Sequence, residues 1–158
     1  MAQAKAAGGN IDWTGYALLW VRMAFGAHSL ISGLNNFVPL FALSNGDPSL
    51  SPIGPFMGDL IHIGLYDVVK VIETVVGICL LTNRFVPLAA AIELPISVVI
   101  AYLCIVVDGS PNIVFSGLRE IGFNLFILAC YADYFLPIVA WKAKVRPLWV
   151  HAPGIPAP

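Results

Sequence analysis

Charged residues are scarce in this chain of 158 residues. Asp, Glu, Lys and Arg make up only 11% of it, whereas about 25% is usual for a soluble domain. Hydrophobic residues account for 59%, and the mean hydropathy is +0.86. This composition predicts a membrane protein that contacts the lipid bilayer over most of its surface and has no soluble domain. The formal net charge of -1 gives no electrostatic support for a nucleic-acid partner.

Cysteine is rare as well, and motifs that identify enzymes are missing. Cys79, Cys104 and Cys130 each fall in an apolar segment, and no C-x-x-C pair is present. They are best interpreted as buried spacers, not as redox or metal-binding groups. The sequence has no P-loop, dinucleotide fingerprint, zinc motif or nucleophile elbow, so we predict no metal site. Residues 1–12 lack the pattern of a signal peptide, so we expect the first apolar segment to remain as a span.

Four apolar segments are long enough to cross a bilayer, at about residues 13–41, 60–81, 85–107 and 113–138. An α-helix rises 1.5 Å per residue, so about 20 residues cross a hydrocarbon core of about 30 Å. We therefore predict an all-α, polytopic membrane protein with a bundle of four transmembrane helices at residues 13–140. A flexible lead, residues 1–12, precedes it, and a basic, Pro-rich tail, residues 141–158, follows.

The positions of the basic residues predict the orientation of this bundle. Lys5 lies in the lead, Arg84 in the central turn, and three more basic residues in the tail, whereas the loops at 42–59 and 108–112 contain no Lys or Arg. Positive charge concentrates on the cytoplasmic side of membrane proteins. Both termini are therefore expected to be cytoplasmic, with an even number of spans.

Charged residues also occur inside the predicted spans, where each costs a few kcal/mol or more unless it faces the bundle interior. Glu73 and Glu93 lie about ten residues on either side of the central turn, hence at similar depth, and Arg22 has a comparable depth in the first span. We expect these three groups to form a cluster in which one carboxyl holds a proton, which makes them a candidate proton relay. The alternative is that they only fix the register of the helices.

A further polar set has a structural or binding role. His62, Arg119 and Glu120 are expected to form a shallower group on the outer side. Lys70 is expected to be neutralised by its helical neighbours Asp67 and Glu73. The complete set is His28, His62, Asp67, Lys70, Arg119, Glu120 and Asn124.

The two histidines within the predicted spans allow two interpretations. His28 lies alone and deep, and a core histidine with a satisfied hydrogen bond is the simpler interpretation. His28 and His62 could in principle ligate a haem between helices, but nothing in their spacing requires it.

The first span also carries small residues at helical spacing. Gly26, Ser29 and Gly33 fall on one face together with Arg22. Small residues on one face let a neighbouring helix approach closely. We therefore predict a closely packed helix pair that involves this span.

Three stretches resemble the DoxX-like family of small four-span bacterial membrane proteins. These are R-M-A-F-G-A-H-S-L-I-S-G-L-N-N-F (Arg22 to Phe37), V-I-E-T-V-V-G-I-C-L-L (Val71 to Leu81) and N-R-F-V-P-L-A-A (Asn83 to Ala90). The resemblance covers about residues 15–138. The chain departs from the family at Asn35, where family members often have lysine. Asp67, Lys70 and Glu93 do not correspond to positions of the family pattern.

The resemblance implies a four-helix bundle in the bacterial inner membrane, associated with respiratory or sulfur redox chemistry. We expect a non-catalytic accessory or anchoring subunit of a larger redox or energy-transducing membrane complex, which contacts other subunits through residues 141–158. One alternative is a quinone-interacting oxidoreductase subunit, with quinone beside a buried proton relay of Arg22, Glu73 and Glu93. A second is a carrier of protons or small solutes.

Overall fold

The computed structural model describes residues 12–38 and 51–138, and this part of the chain is helical without any strand. The prediction of an all-α fold is therefore confirmed for these residues. The bounds of the helices are α1 Trp13–Phe37, α2 Gly54–His62, α3 Leu65–Leu81, α4 Val86–Tyr102 and α5 Pro111–Cys130. A π-helix, Leu103–Asp108, continues α4, and a short 3-10 helix, Ala132–Tyr134, follows α5. The predicted tail at 141–158 and nearly all of the predicted lead lie outside the described residues.

Three segments of the described chain are long and apolar enough to cross a membrane: Trp13–Phe37, Val86–Asp108 and Pro111–Cys130. These helices support the prediction of a membrane protein. Helix α3 is also apolar, but it has only 17 residues and carries Asp67, Lys70 and Glu73. It is shorter than the predicted segment at about 60–81.

The shortening of α3 has a local cause at Gly64. This residue has φ +75, a left-handed conformation that glycine adopts without steric cost. The Ile63 N–H closes α2 by donating to the Asp59 carbonyl at 3.1 Å, and α3 begins at Leu65. The segment that we predicted as continuous is therefore divided into two helices, and His62 belongs to α2.

Helices α1, α3, α4 and α5 form a ring in which each packs against two others. The most extensive contacts join α1 to α3 and α4 to α5, while contacts of α3 with α4 and of α1 with α5 close the ring. Helix α2 packs mainly against α3. The apolar core lies between the four long helices and contains Val21, Phe25, Val76, Leu80, Val86, Ala89, Ala90 and Ile127.

Glycines bring α1 and α3 together, as the small residues of the first span predict. A Cβ at Gly77 of α3 would lie 2.6 Å from the backbone nitrogen of Leu30 in α1. A Cβ at Gly33 of α1 would lie 2.6 Å from the carbonyl oxygen of Lys70. The close approach at Gly33 places the side chain of Lys70 within reach of α1.

Candidate functional site

Lys70 and Glu73 form a buried ion pair within α3. The Lys70 Nζ lies 2.8 Å from Glu73 Oε2 and 3.0 Å from Oε1, and the two residues are only 8% and 4% exposed. The same ammonium donates to Ser32 Oγ in α1 at 2.9 Å and lies 5.0 Å from the centre of the Tyr66 ring. The predicted pairing of Lys70 with Glu73 is thus confirmed.

Asp67 was the other predicted neutralising partner of Lys70, and the structure gives it a different contact. Its Oδ1 accepts a hydrogen bond from Asn36 Nδ2 at 3.0 Å. This bond joins the last turn of α1 to the first turn of α3. Asp67 therefore links two helix ends, and Glu73 alone makes an ion pair with Lys70 among the described residues.

Two further carboxyl groups, from α4 and α5, lie near this pair and form a cluster with Glu73. Glu73 of α3, Glu93 of α4 and Glu120 of α5 are each at most 5% exposed. The Glu93 carboxyl interacts electrostatically with those of Glu73 and Glu120, and with the ammonium of Lys70. Full ionisation of all three carboxyls would leave surplus negative charge in a medium of low dielectric, which is costly. A cluster of this kind can hold and exchange protons.

Several polar atoms at the cluster are buried without a hydrogen bond in the described part of the chain: Glu93 Oε2, Ser97 Oγ and Asn124 Oδ1. The Ser97 hydroxyl lies beside the Glu120 carboxyl but makes no hydrogen bond of normal geometry to it. Asn124 donates through Nδ2 to the Ala90 carbonyl at 3.2 Å, which ties α5 to α4. Ser97 was not among the predicted site residues, although its position four residues after Glu93 places both on one face of α4.

Arg22 lies outside the cluster, contrary to the prediction. Its Nη1 donates to Asn83 Oδ1 in the turn between α3 and α4, and no ion pair joins it to Glu73 or Glu93 in the described residues. The register of α1 and α3 explains this, because Gly26 packs against Leu80 and Arg22 lies one turn nearer the end of the bundle. A long side chain at this depth can extend towards the membrane surface. Lys70 takes the position that we had assigned to Arg22.

His28 has a partner, so the prediction that it lies alone is wrong. Its Nε2 lies 3.6 Å from Glu120 Oε2, which joins α1 to α5. Arg119 lies at the same interface, where it lines a cavity of about 230 Å³ together with His28. No sequence pattern predicts this contact, because the two residues are 92 positions apart in the chain, at 28 and 120.

The predicted outer group of His62, Arg119 and Glu120 does not form among the described residues. His62 is exposed at the end of α2 and makes no ion pair with Glu120 there. Glu120 is the tenth residue of the 20-residue helix α5, so it lies near mid-helix and not at its outer end. Within the described ranges, no group of three or more His, Cys, Asp or Glu residues is arranged to hold a metal ion.

Two cavities of opposite character adjoin Lys70. An apolar groove of about 350 Å³ lies between α2, α3 and α4, with Leu65 and Val99 exposed at its rim and with Lys70 and Glu73 in its wall. A polar pocket of about 330 Å³ lies between α1 and α3. Its hydrogen-bonding residues are His28, Ser32, Asn35, Asn36, Tyr66 and Lys70.

Comparison with family models, curated proteins and solved structures finds no match to this chain. The resemblance to the DoxX-like family therefore remains a prediction from the three sequence stretches.

Proposed function

We propose that the protein is a four-span bundle of the bacterial inner membrane with both termini in the cytoplasm. Three helices meet the length and hydropathy of spans, and α3 is proposed as the fourth. Two observations support this assignment. Contacts between α1 and α3 run from Gly26 with Leu80 to Asn36 with Asp67, and a four-residue turn connects α3 directly to α4. Helix α3 thus extends alongside two helices that can cross the membrane.

The proposed function of this bundle is to bind a quinone, or a quinone-like lipid-soluble carrier, as a membrane subunit of a redox assembly. The observation that carries the proposal is the buried Lys70–Glu73 pair in the wall of an apolar groove whose rim is exposed on the outer surface of the bundle. An amphiphile could enter from the lipid with its apolar tail along the groove. Its polar headgroup would then meet the only charged residues that line this groove in the described chain.

The groove fits such a ligand in size and chemistry. Its volume of about 350 Å³ falls in the range of about 300–1,000 Å³ that is typical of small-molecule sites. Its lining is apolar except for a few groups, among them Lys70 and Glu73. Glu73 can accept from a headgroup hydroxyl, and Lys70, whose ammonium now contacts Ser32 and both Glu73 oxygens, can donate to a headgroup oxygen that replaces one of these acceptors. This combination of an apolar wall and a few polar groups orients a ligand that has one polar end.

The carboxyl cluster supplies the second part of the proposed function. Reduction of a quinone to a quinol takes two electrons, which the redox assembly would supply, and two protons, which this bundle would supply. Glu73 lines the groove, while Glu93 and Glu120 lie within electrostatic reach of it. This proximity supports the proposal that Glu73 and Glu93 form a proton relay together with Glu120. Arg22 is left out because its guanidinium bonds to Asn83.

The predicted anchoring role through residues 141–158 lies outside the described residues and stays a prediction. The second alternative, a carrier of protons or small solutes, also stays a prediction.

A substitution that fills the groove tests the binding function. Val99 lines the groove, whereas its neighbour Val98 does not, and the two are similarly exposed at 46% and 51%. We expect Val99→Trp to weaken the binding of decylubiquinone, a short-tailed quinone, at least tenfold, because the indole occupies the groove. Val98→Trp is the matched control and should bind like the wild type. Calorimetric titration of detergent-purified protein measures both affinities; equal affinities for the two variants would contradict the proposal.

A further inference from the structure

Lys70 separates the apolar groove from the polar pocket. On the groove side its ammonium contacts Glu73 at 2.8 Å, and on the pocket side it donates to Ser32 at 2.9 Å. Lys70 and Tyr66 line both cavities. A single ammonium therefore lies between a surface that faces lipid and a cavity lined by hydrogen-bonding groups.

The polar pocket extends towards one end of the bundle. Asn35 and Asn36 lie in the last turn of α1, and the exposed Asn36 bonds to Asp67 in the first turn of α3. At about 330 Å³ the pocket can hold several waters, since one water occupies about 30 Å³ in the liquid. Its polar lining provides the two to four partners that an ordered water needs.

We infer that the polar pocket is a water-filled port through which protons reach Glu73 from the side of the membrane opposite the termini. Lys70 relays them between the port and the carboxyl cluster. This inference rests on the proposed function for the use of the protons. The port itself does not depend on a bound quinone, so it can be tested in the protein alone.

The proposed proton transfer through Lys70 has two steps. The Lys70 ammonium gives one proton to the Glu73 carboxylate, which leaves a neutral amine and a neutral acid. The amine then takes a proton from a hydronium ion in the port, so that the ammonium is restored and water remains. One proton has moved from the port to Glu73, and no electron has moved.

Charged and titratable groups face Lys70 from every helix of the ring. Glu73 lies on its own helix, and His28 of α1, Glu93 of α4 and Glu120 of α5 interact with it electrostatically. Arg119 lies farther away, beside His28. Carboxyls outnumber the bases next to Lys70, so the cluster attracts protons towards the inner end of the port.

Cysteine labelling tests the port without any ligand. In a full-length chain with Cys79, Cys104 and Cys130 replaced by alanine, Ser32→Cys places a thiol in the pocket. The matched control is Val71→Cys, beside Lys70 in sequence but exposed on the lipid-facing side of α3. We expect a charged, membrane-impermeant methanethiosulfonate to modify Cys at position 32 at least tenfold faster than at position 71, and only from the side opposite the termini. Equal rates, or modification from the other side, would overturn the inference.

Infrared spectroscopy provides a second test that a structural role of Ser32 would not affect. The C=O stretch of protonated carboxyl groups shifts when buried acids exchange their protons in D2O. Ser32→Phe fills the port and should slow this exchange at least tenfold, whereas Val71→Phe should leave its rate unchanged. Thermal unfolding of both variants verifies that they are folded. Fast exchange in a folded Ser32→Phe variant would refute the port, whereas failure of quinone binding alone would refute only the proposed function.

Discussion

The ion pair of Lys70 and Glu73 is costly in isolation, because both groups are taken out of water. Its geometry offsets this cost, since the ammonium contacts both carboxylate oxygens, Ser32 Oγ and the face of Tyr66. In buried pairs, loss of one partner costs about 3–5 kcal/mol, whereas replacement of both by apolar groups is often neutral. The pair is therefore poorly explained by stability alone, which agrees with a functional role at the groove.

Single and double substitutions should separate stability from function at this pair. Glu73→Leu leaves the Lys70 ammonium buried without its carboxylate, so we expect a loss of about 3–5 kcal/mol in the free energy of unfolding. The double variant Lys70→Met/Glu73→Leu should recover most of that stability yet fail to bind decylubiquinone. Chemical denaturation in detergent and calorimetric titration measure the two effects. A stable single variant, or a double variant with normal affinity, would contradict this interpretation.

Among single residues, the sequence identified most of the members of the site but only one of their contacts, the pairing of Lys70 with Glu73. Glu73, Glu93 and Lys70 stand out because a charge within an apolar segment is visible in the sequence. The bond of Arg22 to Asn83 was not visible, since depth counted along a helix ignores the reach of a long side chain. The contact of His28 with Glu120 depends on which helices are neighbours, which periodicity does not specify.

At the scale of the elements, the packing of α1 on α3 positions the site. Gly33 lies against the carbonyl of Lys70, and Gly77 lies against the backbone of Leu30. These contacts set the distance at which Lys70 reaches Ser32. The small-residue face of the first span was predictable from its spacing, whereas the break between α2 and α3 at Gly64 was not. One glycine within an apolar run barely changes the hydropathy on which the prediction of a continuous segment depended.

The two glycines Gly77 and Gly122 make a matched pair for testing this packing. A Cβ at Gly77 would meet the α1 backbone at 2.6 Å, whereas a Cβ at Gly122 of α5 would meet nothing within 4 Å. We expect Gly77→Ala to lower the free energy of unfolding by about 1–3 kcal/mol, as overpacking does. Gly122→Ala should cause no loss, because alanine favours the helix. Denaturation curves of both variants measure their free energies of unfolding. Equal values would show that α1 and α3 are not closely packed at Gly77.

For the whole molecule, the distribution of polarity supports a membrane bundle. The interior of the ring contains carboxyl groups from α3, α4 and α5, while large apolar side chains such as Val75, Ile92 and Leu125 are exposed on its outside. In water, this apolar surface would cause molecules of the protein to associate, whereas lipid chains would solvate it in a bilayer. Composition and the lengths of the apolar segments were enough to predict helices that are able to cross a membrane. The order of helices around the ring required the structure, because all four apolar segments have similar patterns.

Photoaffinity labelling with an azidoquinone tests the central claim most directly, since it reports where a quinone headgroup lies in the folded protein. We predict that illumination of the full chain in its membrane attaches the probe to residues 65–73 of α3 and to residues 95–103, at the end of α4 and the start of the π-helix. Both stretches contribute to the groove. Excess unlabelled decylubiquinone should suppress this labelling, and the peptides are identified by mass spectrometry. Labelling confined to other surfaces, or unaffected by the competitor, would contradict a quinone site at Lys70 and Glu73.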